Sequence, residues 1–228
     1  LTAGDQTPPE IGIGGFSTAA SNLLAPLAAH MKQTRPEVSV RVIEAPPARC
    51  FELLVAERID LAVVIAMQAD VQVDDDPRFE QITLLNDPLD VIVSAEHPVA
   101  GRNSVTLQEL AREDWITDAP GSSYHALFTA AFTAIGTTPR IAHEVAEWET
   151  SMALVEAGVG IGLVPRLASL ESVRDVVRVR IAGDRGPMRK IVAAMRAGSL
   201  ESPLIRDSLS HLRRTARQIL GTRLDQES

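Results

Sequence analysis

Residues 140–165, RIAHEVAEWETSMALVEAGVGIGLVP, constrain the fold more tightly than any other stretch of the chain. They read as a strand, a short helix, a glycine stop and a second strand. Residues 140–145 are short, mixed and partly β-branched. Thr150 and Ser151 are natural N-cap residues, and Met152, Val155 and Glu156 fall at helical spacing before Gly158. Residues 159–164 are almost purely apolar, as a parallel strand covered on both faces must be, and Pro165 stops it. One such β-α-β unit buries little surface alone, so it requires further units of the same kind. A length of 228 residues provides for them, in one large or two small domains.

The N-terminal half repeats the pattern. After a polar segment closed by Pro8-Pro9, residues 11–14 (IGIG) open a first strand. Gly15, Phe16, Ser17 and Thr18 turn into a helix whose apolar stripe is Leu23, Leu24, Leu27, Ala28 and Met31. Arg35-Pro36 ends it, and residues 38–43 alternate as a half-buried strand does. Phe51, Leu54 and Val55 mark a second helix, and residues 60–66 (DLAVVIA) a fully apolar third strand. This β-α-β-α-β order predicts a parallel sheet with right-handed crossovers. Residues 81–85 and 89–95 are further strands, and His97-Pro98 ends the second.

From Gly101 the pattern restarts. Thr106 and Glu109 form a capping-box signature that predicts a short helix. Residues 115–117 are a strand, and the turn Asp118-Ala-Pro-Gly-Ser-Ser leads into a helix with Leu127, Phe128, Ala131, Phe132 and Ile135 on one face and Gly136 as its stop. Beyond the opening stretch lie strands at 176–181 and 190–196, separated by a turn at 183–187. Ser202-Pro203 then starts a terminal helix that buries Ile205, Leu209, Leu212, Ala216 and Ile219. Its other side carries Arg206, Arg213, Arg214 and Arg217, read as a solvated face.

Composition excludes several function classes. No apolar run approaches the ~20 residues that span a bilayer, and the opening LTAGDQTPPE has neither the basic nor the apolar region of a signal peptide. Cys50 is the only cysteine, which excludes an internal disulfide and fits a reducing, cytoplasmic setting. A net charge of −8 opposes association of the whole chain with nucleic acid.

No motif assembles a catalytic set. Gly12-x-Gly14-Gly15 follows a strand, but the third fingerprint position is Ser17, so a dinucleotide site is not supported. Gly158-x-Gly160-x-Gly162 leads into a strand, the wrong polarity for a phosphate loop. There is no G-x-S-x-G elbow. The five histidines lack metal-ligand spacing, and Asp74, Asp75 and Asp76 read as a solvated loop rather than a cation site. Cys50 reads as a small buried side chain. No cofactor and no metal are expected.

Several segments, in order, resemble the effector-binding domain of LysR-type transcriptional regulators. They are IGIGGFSTAASNLLAPLAAHMKQTRPEVSVRVIE, ERIDLAVV, AEHPVAGRNSVTLQELAREDWIT, PGSS, LVEAGVGIGLVPRLA and RKIVAAMRAGSLESPLIRDSL. The resemblance implies an α/β fold of two Rossmann-like subdomains, of the type 2 periplasmic-binding-protein kind, joined by two crossing strands, here 89–95 and 190–196. Residues 1–10 would be a linker remnant, 11–93 plus 196–228 subdomain I, and 94–195 subdomain II. The family's N-terminal helix-turn-helix is not in this sequence. Two departures stand out: the family's proline after the first leucine pair is Ala25 here, with Pro26 one residue later, and an arginine common after the Gly-Ser turn is His125. That second change leaves open whether His125 takes part in binding. The resemblance further implies a homodimer, tetrameric in the full-length protein, that contacts DNA only through the missing domain, with Ala20 and Met31 as spare apolar contacts for a second copy.

In open α/β sheets ligands sit beyond the carboxyl ends of the strands, where loops lead into helices. Two such places carry hydroxyls at helix N-termini: Ser17 and Thr18, and Ser122 and Ser123. Unpaired N–H groups and a partial positive charge there suit a carboxylate. The expected role of these four residues is to cap their helices and to bind a small, carboxylated effector in an inter-lobe cleft, in a non-enzymatic sensor that controls DNA binding and transcription. The alternatives are a transferase using Cys50 or these serines, and a solute-binding protein on the same two-lobe fold.

Overall fold

Apolar strands alternating with amphipathic helices close into two units in a computed structural model, which describes residues 9–66, 76–170, 173–183 and 186–225. The side chains of Ser123 and of residues 222–225 are outside that description, as are Asp74, Asp75 and the first eight residues. One unit comprises Leu1–Asn86 with Lys190–Thr222; the other is built on Asp87–Arg189.

In the first unit, β1 (Glu10–Gly15) runs parallel to β2 (Ser39–Glu44) on one side and to β3 (Leu61–Ile65) on the other. Strand β10 (Met188–Arg196) lies antiparallel to β3. All five residues of β3 are buried, as its unbroken apolar run demands. The crossover from β1 is one continuous helical stretch in three parts: α1 (Ser17–Ala19), a π-helical segment (Ala20–Leu24) and α2 (Ala25–Thr34). Pro26 explains the middle part. Proline has no N–H to donate to the carbonyl four residues back, and its ring crowds that carbonyl. The wider turn, in which the Ala25 N–H donates to Ala20 O, relieves the conflict and winds in one extra residue. The displacement of the proline from position 25 to 26 therefore has a structural counterpart. Leu23, Leu24, Leu27 and Met31 are buried, Met31 at 1% exposure. Met31 is thus spent on its own core, which corrects the expectation that it is free for a second copy.

The second crossover is α3 (Pro47–Val55), whose Cys50, Phe51 and Leu54 pack with Ile59, Ala62, Val64, Val192 and Ala194. Val55 ends the helix, as expected from the residues that mark it, and is 53% exposed. Gly12 is a packing residue: a Cβ there would lie 2.8 Å from the carbonyl oxygen of Arg58 and 2.9 Å from the Cα of Ile59. Its N–H donates to Asp60 Oδ2, and Arg196 ties Asp60 Oδ1 to the carbonyls of Leu54 and Ile59. The terminal helix α6 (Pro203–Asp225) buries Ile205, Leu209, Leu212 and Ala216.

The second unit repeats the order. Strand β6 (Asp114–Thr117) is parallel to β7 (Arg140–Glu144) on one side and to β8 (Ile161–Pro165) on the other. Strand β4 (Phe79–Ser94) is antiparallel to β8 and to β9 (Val176–Ile181), which pairs in turn with β5 (Ser104–Val105). Helix α4 (Ser123–Ala134) covers one face, with Phe128 and Phe132 against Trp115. Helix α5 (Trp148–Glu156) covers the other, with Met152 and Val155 against Ile116 and Val164.

Three sequence expectations change. The two strands at 81–85 and 89–95 are one strand, β4, which passes through Asp87-Pro88 from the first unit into the second; β10 crosses likewise. The buried carboxylates explain how the strand survives there. Asp87 accepts from Arg189 and from the Leu167 N–H, and Asp90 accepts from Arg166 and Arg178, all within the second unit. Helix α5 begins at Trp148 behind an extended Glu147, so Thr150 and Ser151 lie inside its first turn instead of capping it. The capping box is real, with Thr106 N–H donating to Glu109 Oε2 and Glu109 N–H to Thr106 Oγ1, yet it closes a run of turns rather than a helix.

Candidate functional site

The two units share one strand order, with β1 flanked by β2 and β3, and β6 flanked by β7 and β8. In such a sheet the chain leaves the central strand to opposite sides, and a crevice opens at that strand's carboxyl end. The helices that start there are the α1–α2 stretch and α4. Sequence reasoning placed Ser17 and Thr18 at the first and Ser122 and Ser123 at the second, so each pair occupies the equivalent turn of a different unit.

In the first unit the N-cap position is Phe16, in extended backbone, with no side-chain cap. Ser17 and Thr18 are the first two helical residues, so the expectation that they cap the helix is corrected. Ser17 is exposed and Thr18 half-buried. Their carbonyls accept from Ser21 Oγ and Asn22 Nδ2, while their hydroxyls make no hydrogen bond among the described residues. The capping demand on these side chains is therefore absent, and the hydroxyls stay available.

In the second unit Ser122 is the N-cap, and its Oγ accepts from the His125 N–H at 3.0 Å. Ser123 is the first helical residue. The His125 ring lies with Nδ1 3.0 Å from the Asp118 carbonyl oxygen, which holds the ring beside the turn. Tyr124 fixes the other side of the helix start by donating its hydroxyl to the Leu163 carbonyl of β8. Burial pushes the Tyr124 phenol up from its ordinary value, so it stays a neutral donor.

Sequence reasoning missed Thr117, the last residue of β6. It is 2% exposed, and its Oγ1 is buried with no hydrogen-bond partner among the described residues. Alternation along the strand tells which way it faces. Trp115 packs on Phe128 and Phe132 of α4, Ile116 packs on Met152 and Val155 of α5, and Thr117 returns to the α4 side. A buried hydroxyl left unpaired costs roughly 1–3 kcal/mol. Here that cost falls at the switch point, on the last residue of the strand that leads through the turn into the 12-residue helix α4. The signal was present in the sequence as a polar residue ending the otherwise apolar strand WIT.

Cys50 has no part in such a site. It is buried on α3, its Sγ faces the Ala45 carbonyl at 3.5 Å, and burial pushes its thiol up to about 11. No group of three or more His, Cys, Asp or Glu side chains suited to a metal occurs among the described residues, and no helix among them is long and apolar enough to cross a membrane.

Comparison with known proteins agrees with this architecture. The chain is 28% identical over 202 residues to the HTH-type transcriptional regulator CatR of Pseudomonas putida, covering 88% of this chain and 66% of that protein. The chain thus spans less than two thirds of that regulator's length, and 62% of TtuA of Agrobacterium vitis, to which it is 30% identical. Among solved structures, the BenM effector binding domain with its effector benzoate superposes with a TM-score of 0.79 at 24% identity, over 95% of both chains. Residues 4–217 match the family model of the LysR substrate binding domain. The chain belongs to the LysR substrate-binding domain family.

Proposed function

We propose that this chain is the effector-binding regulatory domain of a LysR-type transcriptional regulator, acting in the cytoplasm as a sensor rather than an enzyme. Its effector is a small carboxylated metabolite that touches the first strand-to-helix turn of each unit: Ser17 and Thr18 in one, Ser122 and Ser123 with Thr117 in the other. A ligand that contacts both units favours one arrangement of them by its differential affinity, which is all a switch needs. Control of transcription then passes through a helix-turn-helix segment outside these 228 residues, in a homodimer that becomes a tetramer in the full-length protein. The transferase alternative is disfavoured by the buried, high-pKa Cys50 thiol.

The observation that carries the reading is the buried hydroxyl of Thr117, at the end of the strand that leads into α4, with no partner among the described residues. A carboxylate oxygen there gains a buried donor as well as the free N–H groups of a helix N-terminus. The experiment is a thermal-shift screen of carboxylates, starting with benzoate, the effector in the BenM domain structure. A ligand at 100 times its dissociation constant adds about 2.7 kcal/mol. Calorimetry then compares Thr117→Val, Thr18→Val and Ser122→Ala with the parent. Loss of a hydroxyl bound to an ionised group costs about 1.5–3 kcal/mol of affinity. Thr117→Val is the informative variant, because without ligand it removes an unpaired buried group and leaves the fold as stable or more so. Binding within a factor of two of the parent in all three variants refutes the site.

A further inference from the structure

His30 on α2 and His211 on α6 stack face to face, with ring centroids 4.2 Å apart and planes 16° from parallel. Both ring nitrogens of His211 are shielded from solvent and have no hydrogen-bond partner among the described residues. A neutral imidazole carries one N–H donor, and a protonated one carries two and a positive charge. Protonation of His211 would therefore place a second unpaired donor and a charge in a site with no acceptor.

The neighbouring charges offer no relief. On α6 itself Arg214 lies one turn after His211 and opposes a positive ring. Asp207 lies one turn before it, with its carboxylate already held 2.5 Å from Arg35, just past the end of α2. From α2 the facing titratable group is His30, a second potential cation. Among the described residues no carboxylate contacts either ring. Burial first, then His30 and Arg214, lower the affinity of His211 for a proton.

We propose that the His30–His211 stack is a pH-sensitive fastening between α2 and α6, closed while the His211 ring is neutral and loosened in mild acid. The sign follows from linkage. A histidine whose folded pKa is depressed binds fewer protons folded than unfolded once the pH falls below about 6.5, so docking is strongest above that value and weakens as pH falls through the folded pKa. The stripe loosened is the one α6 buries, Leu209 and Leu212 on either side of His211, so the opening is local to that helix.

Amide hydrogen exchange of the chain at pH 7.5 and 5.5, corrected for intrinsic rates, reads the effect on α6. In the parent, protection of residues 205–216 falls by at least about fivefold in acid. In His211→Phe the ring at position 211 still stacks but can take no proton, and protection changes by less than about twofold. Equal losses in parent and variant, or no loss in the parent, overturn the proposal. An NMR titration of His211 in the parent is an independent test that does not depend on the variant folding. A ring that titrates at or above the free value of about 6.5 overturns it as well.

Discussion

Asp90→Asn should be among the most damaging single changes in the second unit, because it removes a fully buried negative charge that two largely buried arginine side chains hold. Asp90 is fully buried; Arg166 donates to it from Nε at 2.9 Å and Arg178 from Nη1 at 3.3 Å. The side chains of those arginines are 12% and 7% exposed. Removing one partner of a buried pair costs about 3–5 kcal/mol, since the charge left behind keeps its desolvation penalty. Arg178 also donates to the carbonyls of Pro165 and Ala168, which remain after the change. The lower end, about 3 kcal/mol, is therefore expected. Urea unfolding followed by fluorescence of Trp115, buried in the same unit, measures it. With a urea slope of about 2 kcal/mol/M, the midpoint drops by about 1.5 M. The control is Asp207→Asn, whose partner Arg35 is 42% exposed, and which shifts the midpoint by less than about 0.5 M because exposed pairs contribute 0–1 kcal/mol. Equal small shifts in both variants would refute the claim that burial makes the Asp90 cluster structural.

Two further outcomes follow from the cited shifts. Hydrogen bonds from the Thr106 N–H and hydroxyl, then Arg102, hold the Glu109 carboxyl at about 2; its contribution is present above its ordinary value and lost as pH falls toward 2, so Glu109→Gln should flatten the acid limb of the stability curve, and an unchanged limb would disprove it. The Cys50 thiol, pushed up to about 11 by burial, should react with a thiol reagent at pH 8 only after urea unfolding, and prompt labelling of the folded chain would contradict its placement.

What the sequence disclosed and what it withheld divide along physical lines. Strands buried on both faces announce themselves as apolar runs, and β3 and β8 appear within two residues of where hydrophobicity put them. Helix stops were equally legible, since Gly136 and Gly158 adopt φ of +67° and +69°, a conformation that costs any residue with a Cβ. Boundaries set by long-range pairing were not legible. Asp87-Pro88 reads locally as a break, and partners far along the chain, Leu167 at 80 positions and Arg189 at 102, make it strand interior. The same limit applies to capping at Ser17, where a hydroxyl before an apolar stripe suggests a cap, yet the chain turns one residue earlier at Phe16.

Thr117 shows why the site itself was the hardest part to read. A threonine at a strand end is ordinary in sequence, because β-branched residues suit strands and hydroxyls suit the turns that follow. What makes it a candidate is an absence of partners, and no spacing rule encodes an absence. Only the tertiary fold shields Oγ1 while giving it no partner among the described residues. Stability alone would favour valine at this position, which has the same shape and no unpaired hydroxyl. Threonine is the costlier residue in the absence of ligand, and a carboxylate bound as proposed would offset that cost. The comparison of Thr117→Val with and without a carboxylate therefore separates a binding residue from a tolerated imperfection: a stability gain in the free protein with a matching loss of affinity identifies the first, and a gain with no loss identifies the second.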